Sequence, residues 1–211
     1  MTNNAEIIIL IHGLWMHGLV MLPQQHWLRA ERFAVSRVSY PSWRGGLADN
    51  VRLLSKVLGK TSGSVIHLVA HSLGGLVALK LLEQNADPRI RRVVLLGTPY
   101  AACHCGRYLA ATPALSGLLG RTFTDWFRLP RPALPPEVEI GIIAGTRSRS
   151  FGRLIPGLAL PNDGLVAVDE TRIATAKDSI ALKVSHSGML LSRTCAGQIA
   201  HFLRTGNFIH A

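Results

Sequence analysis

No apolar stretch of the 211-residue chain approaches the ~20 residues needed to span a bilayer. The run "IIILI" at 7–11 is short, follows Glu6, and reads as a strand. The N-terminus has neither a basic region nor an A-x-A cleavage site, so no signal peptide is expected and the expected location is cytoplasmic. Cysteine is scarce: there are 3, an odd count that argues against a disulfide framework. Cys103 and Cys105, in "CHC", stand too close for ordinary paired zinc ligands, and Cys195 falls on a helical pattern. No metal and no cofactor are expected. Acidic residues are also few, 12 against 23 Lys and Arg, for a formal net charge of +11. Yet no basic run exceeds two residues (Arg91, Arg92) and aromatics are sparse, which argues against nucleic acid. The basic surface reads as solvated, with weak contact to an anionic membrane surface as the partner class it admits. Internal repeats and low-complexity linkers are missing as well, and the length suits one domain over residues 1–211.

What is present is alternation. Strands are expected at Glu6–Ile11, Phe33–Ser39, Val65–Ala70, Arg91–Leu96, Glu137–Ala144 and Ser179–Val184. Several are continuous apolar runs, as in a parallel sheet covered on both faces. Helical patterns fall between them at Leu47–Leu58 and Leu73–Asn85, with a last one at Gly188–Arg204 whose stripe is Leu191, Cys195, Ile199 and Phe202. The class is therefore α/β. Residues 98–136 carry Leu115, Leu118, Leu119, Phe123, Trp126 and Phe127 at helical spacing. Such a stripe fits a cap over an active site or simple packing on the sheet; packing is the expectation. Residues 145–163, rich in Gly, Pro and Arg, read as a long loop.

The chemistry centres on "AHSLG", residues 70–74, between an apolar strand and a helix with almost no loop. This is the nucleophile-elbow pattern with Ala70 in place of its first glycine. A strained turn lifts the Ser72 hydroxyl clear of the sheet, and side chains two residues to either side would then collide. Ala70 and Gly74 have little to collide with, and Gly75 lets the helix pack closely. The helix N-terminus behind Ser72 places positive dipole near the reacting oxygen.

An activated serine needs a base and a group that orients the base. On an elbow of this kind they follow in the order Ser, acid, His. His186, His201 and His210 lie late enough. His201 sits within the last helix and His210 in the tail, whereas His186 follows a strand, where α/β sheets put their chemistry. For the acid, Asp163 in "PNDGLV" is favoured because Gly164 permits a tight turn; Asp169 is second, and a simple turn is the bland alternative. The oxyanion needs two backbone N–H donors, and Leu73 and Leu14 are the candidates, with Gly13 letting the backbone approach. His12 reads as a structural brace of that loop and His17 as a helix-start residue.

Taken together, "ILIHGLW", "LVAHSLGGLVA", "VVLLGTPY", "IIAGTR", "PNDGLVAV" and "VSHSGML" resemble motifs of the α/β-hydrolase superfamily, in particular its small lipase and esterase branch, over about residues 6–204. That branch includes small bacterial lipases and relatives of GPI inositol-deacylases. The resemblance implies a Ser72–Asp163–His186 triad, an oxyanion hole from the Leu14 and Leu73 amides, and six parallel strands in the order 2-1-3-4-5-6. The chain departs from the branch at Tyr100, where His often follows "GTP", and at Ala70. The implied activity is hydrolysis of carboxylic esters, with a small-molecule or lipid ester as substrate. A thioesterase or acyltransferase would use the same triad, and a non-catalytic binding module is the reading from another class.

Overall fold

The computed structural model describes residues 6–84, 87–149 and 155–210. Six strands form one sheet: β1 (Glu6–Ile11), β2 (Ala34–Val38), β3 (Val65–His71), β4 (Ile90–Leu96), β5 (Glu139–Gly145) and β6 (Asp178–Leu182). Their order is β2-β1-β3-β4-β5-β6, and every neighbouring pair is parallel. All strands therefore deliver their carboxyl ends to one edge, and the loops that leave that edge build the site.

Alternation along the strands explains why they read as unbroken apolar runs. Ile9, Ile11, Leu68, Ala70, Val93 and Leu95 face one layer of helices, while Ile8, Leu10, Val69, Val94 and Leu96 face the other. The first layer contains α2 (Leu47–Lys60), α3 (Leu73–Gln84) and α5 (Gly120–Arg128). The second contains α1 (Leu22–Ala30) and α6 (Arg193–Thr205). A short helix, α4 (His104–Ala111), precedes α5. Helix α3 is buried almost all round because it is covered by α2 and α5 as well as by the sheet.

Several expectations are corrected. Helix α1 is absent from the expected helices, because it buries Gln24 and Gln25 beside Leu28 and so shows no apolar stripe; the local signal is Pro23 at its start. The last helix does not run from Gly188. A 3-10 turn over Ser187–Leu191 comes first, and α6 begins after Ser192, whose hydroxyl accepts the Cys195 amide at 3.2 Å. Leu191 thus leaves the core stripe and is 69% exposed. Strand β6 ends at Leu182 rather than Val184, and β2 is trimmed to Ala34–Val38. Asn85, residues 150–154 of the long loop and residues 1–5 of the N-terminus lie outside the described residues. Of the one basic pair, Arg91 is exposed, whereas Arg92 is buried and bonded to Glu139 at 2.6 Å. In the 98–136 segment, Leu119, Phe123 and Trp126 are buried in the core under the sheet, while Leu118 is exposed. Among the described residues, no helix is long and apolar enough to cross a membrane.

Candidate active site

Ser72 stands between the last residue of β3 and the first of α3, with φ of +52. A non-glycine residue in the left-handed region costs about 1–3 kcal/mol unless its surroundings hold it there. Its amide donates to Leu96 O at 2.9 Å, and its carbonyl accepts from the Thr98 hydroxyl at 3.1 Å. The first turn of α3 presses on the end of β1: a Cβ on Gly74 would lie 2.4 Å from His12 O. Only glycine fits there, and the packing brings the Gly13–Leu14 loop against Ser72. A Cβ on Gly13 would lie 3.2 Å from Ser72 Cβ.

The loop after β5 turns sharply at Asn162–Gly164. Asn162 Oδ1 accepts the Gly164 amide at 2.9 Å. Asp163 Oδ1 accepts the amides of Leu165 and Val166, at 2.9 and 2.8 Å, and Oδ2 lies 2.7 Å from His186 Nδ1. One carboxylate oxygen holds the turn and the other holds the imidazole. Both residues are buried, and His186 does not cap the 3-10 turn it precedes. Asp169 is exposed and paired with Arg172 at 2.8 Å, away from this pair.

Five further residues support the pair without having been singled out for it. Gly97, at the end of β4 with φ of +56, lets the Asp–His pair close over it: a Cβ there would lie 3.0 Å from Asp163 Oδ2 and 3.1 Å from His186 Nδ1. At the end of β5, a Cβ on Gly145 would lie 2.7 Å from Asp163 Cβ. The local signal is a glycine directly after each apolar run, in "LLGT" and "IAGT". Gln24 Nε2 donates to Met189 O at 2.8 Å and to Ser192 O at 3.1 Å, fixing the segment behind His186. Glu170 is buried and accepts the Ala167 amide at 2.9 Å and the His104 amide, tying the Asp163 loop to α4.

The fifth is His71. Its ring is fully buried 4.7 Å from the ring of His186, and its Nε2–H donates to His186 O at 3.1 Å. Burial, with His186 beside it, holds its pKa well below the usual histidine range. His71 is therefore neutral, and it links the residue before Ser72 to the backbone of the candidate base. The His186 side chain bonds to Asp163 and, among the described residues, makes no hydrogen bond to Ser72 Oγ. Serine–histidine contacts are often long without substrate and tighten when it binds.

His12 braces the loop as expected. It stacks on Tyr40 at 4.4 Å, its Nδ1–H donates to Gly13 O at 2.8 Å, and its Nε2 accepts the Tyr40 amide at 3.3 Å. Burial lowers its pKa, in keeping with a neutral ring. Among the described residues, neither the Leu14 nor the Leu73 amide donates a hydrogen bond within the protein. His17 caps the 3-10 turn at Gly18–Met21, accepting the Leu19 amide at 3.3 Å. The three cysteines are free and buried, and burial pushes the Cys103 thiol up to about 12 and those of Cys105 and Cys195 up to about 11. Among the described residues, no three His, Cys, Asp or Glu side chains gather into a metal site.

Comparisons with known proteins agree with this architecture. The sequence model of the alpha/beta hydrolase family matches residues 8–196. No curated protein matches the sequence. Among solved structures, the chain is similar to lipase BlEst2 of Bacillus licheniformis in its propeptide form, with 19% identity and a TM-score of 0.76 over 99% of this chain and 51% of that one. It is similar to the metagenomic carboxyl esterase MGS0156, with 20% identity and a TM-score of 0.68 over 88% of this chain and 66% of that one. It is also similar to carboxylesterase CesB of Bacillus subtilis, with 15% identity and a TM-score of 0.59 over 97% of this chain and 85% of that one. The chain spans about half the length of the first and about two thirds of the second. At such identities the likeness is one of fold. By the family match over residues 8–196, the chain belongs to the alpha/beta hydrolase family.

Proposed function

We propose that the protein is a serine hydrolase that cleaves carboxylic esters through an acyl-enzyme on Ser72. The observation that carries this reading is a serine at φ +52 on a strand-to-helix corner, at the same sheet edge as a buried Asp163–His186 pair at 2.7 Å. His186 Nδ1–H donates to Asp163, which leaves Nε2 as the basic nitrogen. Nε2 takes the Ser72 proton as Oγ bonds to the ester carbonyl carbon. The carbonyl oxygen becomes an oxyanion, held by the Leu14 and Leu73 amides. The C–O bond to the alcohol then breaks, and the alcohol leaves with the proton from Nε2. Water repeats the sequence on the acyl-enzyme and releases the acid. Asp163 fixes the imidazole tautomer and offsets its positive charge throughout. An ester substrate is supported by the fold neighbours described as a lipase and as carboxylesterases.

The test is a panel of esters graded by acyl length, run on the wild-type chain and on Ser72→Ala. The wild type should turn over short or medium acyl esters, and the variant should retain only a residue of that rate. Equal turnover by both proteins would refute the assignment.

A further inference from the structure

On the α2, α3 and α5 face, beside the loop that leaves the carboxyl end of β2, lies a cavity of about 500 Å³. Ser72, Asp163 and His186 are not among its lining residues. Three arginines line it, Arg44, Arg121 and Arg128, together with Trp43 and one acidic residue, Asp125. Its walls are held by bonds that leave the guanidinium groups out. Trp43 Nε1–H donates to Gly117 O at 2.9 Å, and the Arg121 amide donates to Trp43 O at 2.9 Å. Asp125 Oδ2 is engaged by the Leu47 amide at 2.9 Å, at the N-terminus of α2. Asp49, the other carboxylate near Arg121, is ion-paired with Arg52. Arg44 lies over the Trp43 ring at 5.5 Å. Among the described residues, neither Arg44 nor Arg128 has an ion-pair partner. The cavity is thus a concave site with a local excess of positive charge.

Arginines in this arrangement suit phosphate oxygens, which accept forked N–H donors. Exposed apolar side chains on and next to the lining residues indicate where the phosphate comes from. Trp43 is 41% exposed, Leu118 beside the lining residue Gly117 is 42% exposed, and Leu129 beside Arg128 is 40% exposed. A soluble phosphate has no use for exposed apolar side chains beside its site. A membrane phosphate arrives with an interface into which Trp and Leu side chains partition while cations meet the headgroups. A single nucleic-acid strand would use stacked aromatic rings, and exposed leucines add nothing to such contacts.

We propose that this cavity binds the phosphate of an anionic phospholipid headgroup, with Trp43, Leu118 and Leu129 resting in the membrane interface around it. The proposal stands apart from the hydrolase reading, because binding is measured without turnover.

The test is co-sedimentation of the full chain with phosphatidylcholine vesicles and with vesicles that also contain phosphatidylglycerol, at one ionic strength. The wild type should favour the anionic vesicles. The exposed-site variant Arg44→Gln/Arg128→Gln should partition roughly 30-fold less, at about 1 kcal/mol per cation near the surface. The variant Lys56→Gln/Arg91→Gln removes the same charge elsewhere and should lose at most a few-fold. Equal losses in the two variants would mean diffuse attraction and would overturn the proposal. Calorimetric binding of inorganic phosphate without vesicle binding would overturn it in favour of a soluble anion. Tighter binding to a short single-stranded DNA than to vesicles, lost in Arg44→Gln/Arg128→Gln, would overturn it in favour of nucleic acid.

Discussion

Asp163 and His186 are joined twice: Oδ2 of the acid lies 2.7 Å from Nδ1 of the imidazole, and the His186 amide donates to Asp163 O at 3.0 Å. The side-chain bond sets the tautomer, and the backbone bond sets the position of the ring. An amide at residue 163 would keep the shape and lose the preference for Nδ1–H. Asp163→Asn should therefore lower kcat by roughly three to four orders of magnitude on any ester the wild type accepts. Asp169→Asn, changed at an exposed residue paired with Arg172, should stay within about twofold. Steady-state kinetics on the two purified variants checks this, and the reverse ranking would remove Asp163 from its role.

Stability should depend on pH through buried neutral histidines. Burial lowers the pKa of His71 well below its ordinary value and lowers those of His12 and His67. The unfolded chain, with histidines near 6.5, binds more protons than the folded one below that pH. The stabilisation is thus fully present above about pH 6.5 and is lost as pH falls from there toward the depressed folded values. Each such proton contributes a slope of up to about 1.4 kcal/mol per pH unit. The urea midpoint should be clearly lower at about pH 5.5 than at about pH 8. Equal midpoints would show that these rings accept protons in the folded state.

The segment the sequence offers as a lid is residues 98–136. That segment is anchored: Trp126 is 1% exposed and Phe123 6%, and the Ala101 and His104 amides both bond to Glu170. Lifting it would expose a large aromatic side chain at a cost of about 1.5–3 kcal/mol before any other contact is lost. Turnover of a neutral short-chain ester should rise smoothly with concentration through its solubility limit. A negligible rate below the limit and a sharp jump on emulsion formation would show that 98–136 moves as a lid.

The parts of the candidate site that were legible in the sequence are those encoded in neighbouring residues. The elbow is written in Ala70, Ser72, Gly74 and Gly75, because its strain is local and demands small residues. Asp163 is legible as the candidate acid because Asn162, Asp163 and Gly164 together specify a tight turn. His186 could be placed although β6 ends earlier than expected, since the loop position matters more than the strand end. What was not legible depends on packing between distant segments. Gly97 matters only because β4 and the loops after β5 and β6 converge on it. Gln24 belongs to a helix whose buried face is partly polar, so no apolar period announces α1. His71 reads as an ordinary residue of the elbow until the fold sets its ring against His186.

The central claim is that Ser72 is an activated nucleophile, and covalent labelling tests it most directly. The folded chain is treated with a fluorophosphonate, and the modified residue is found by peptide mass spectrometry. The account predicts one adduct, on Ser72, absent from Ser72→Ala and formed far more slowly in His186→Ala. A folded wild-type protein that stays unlabelled, or that is labelled at a different residue, would contradict it.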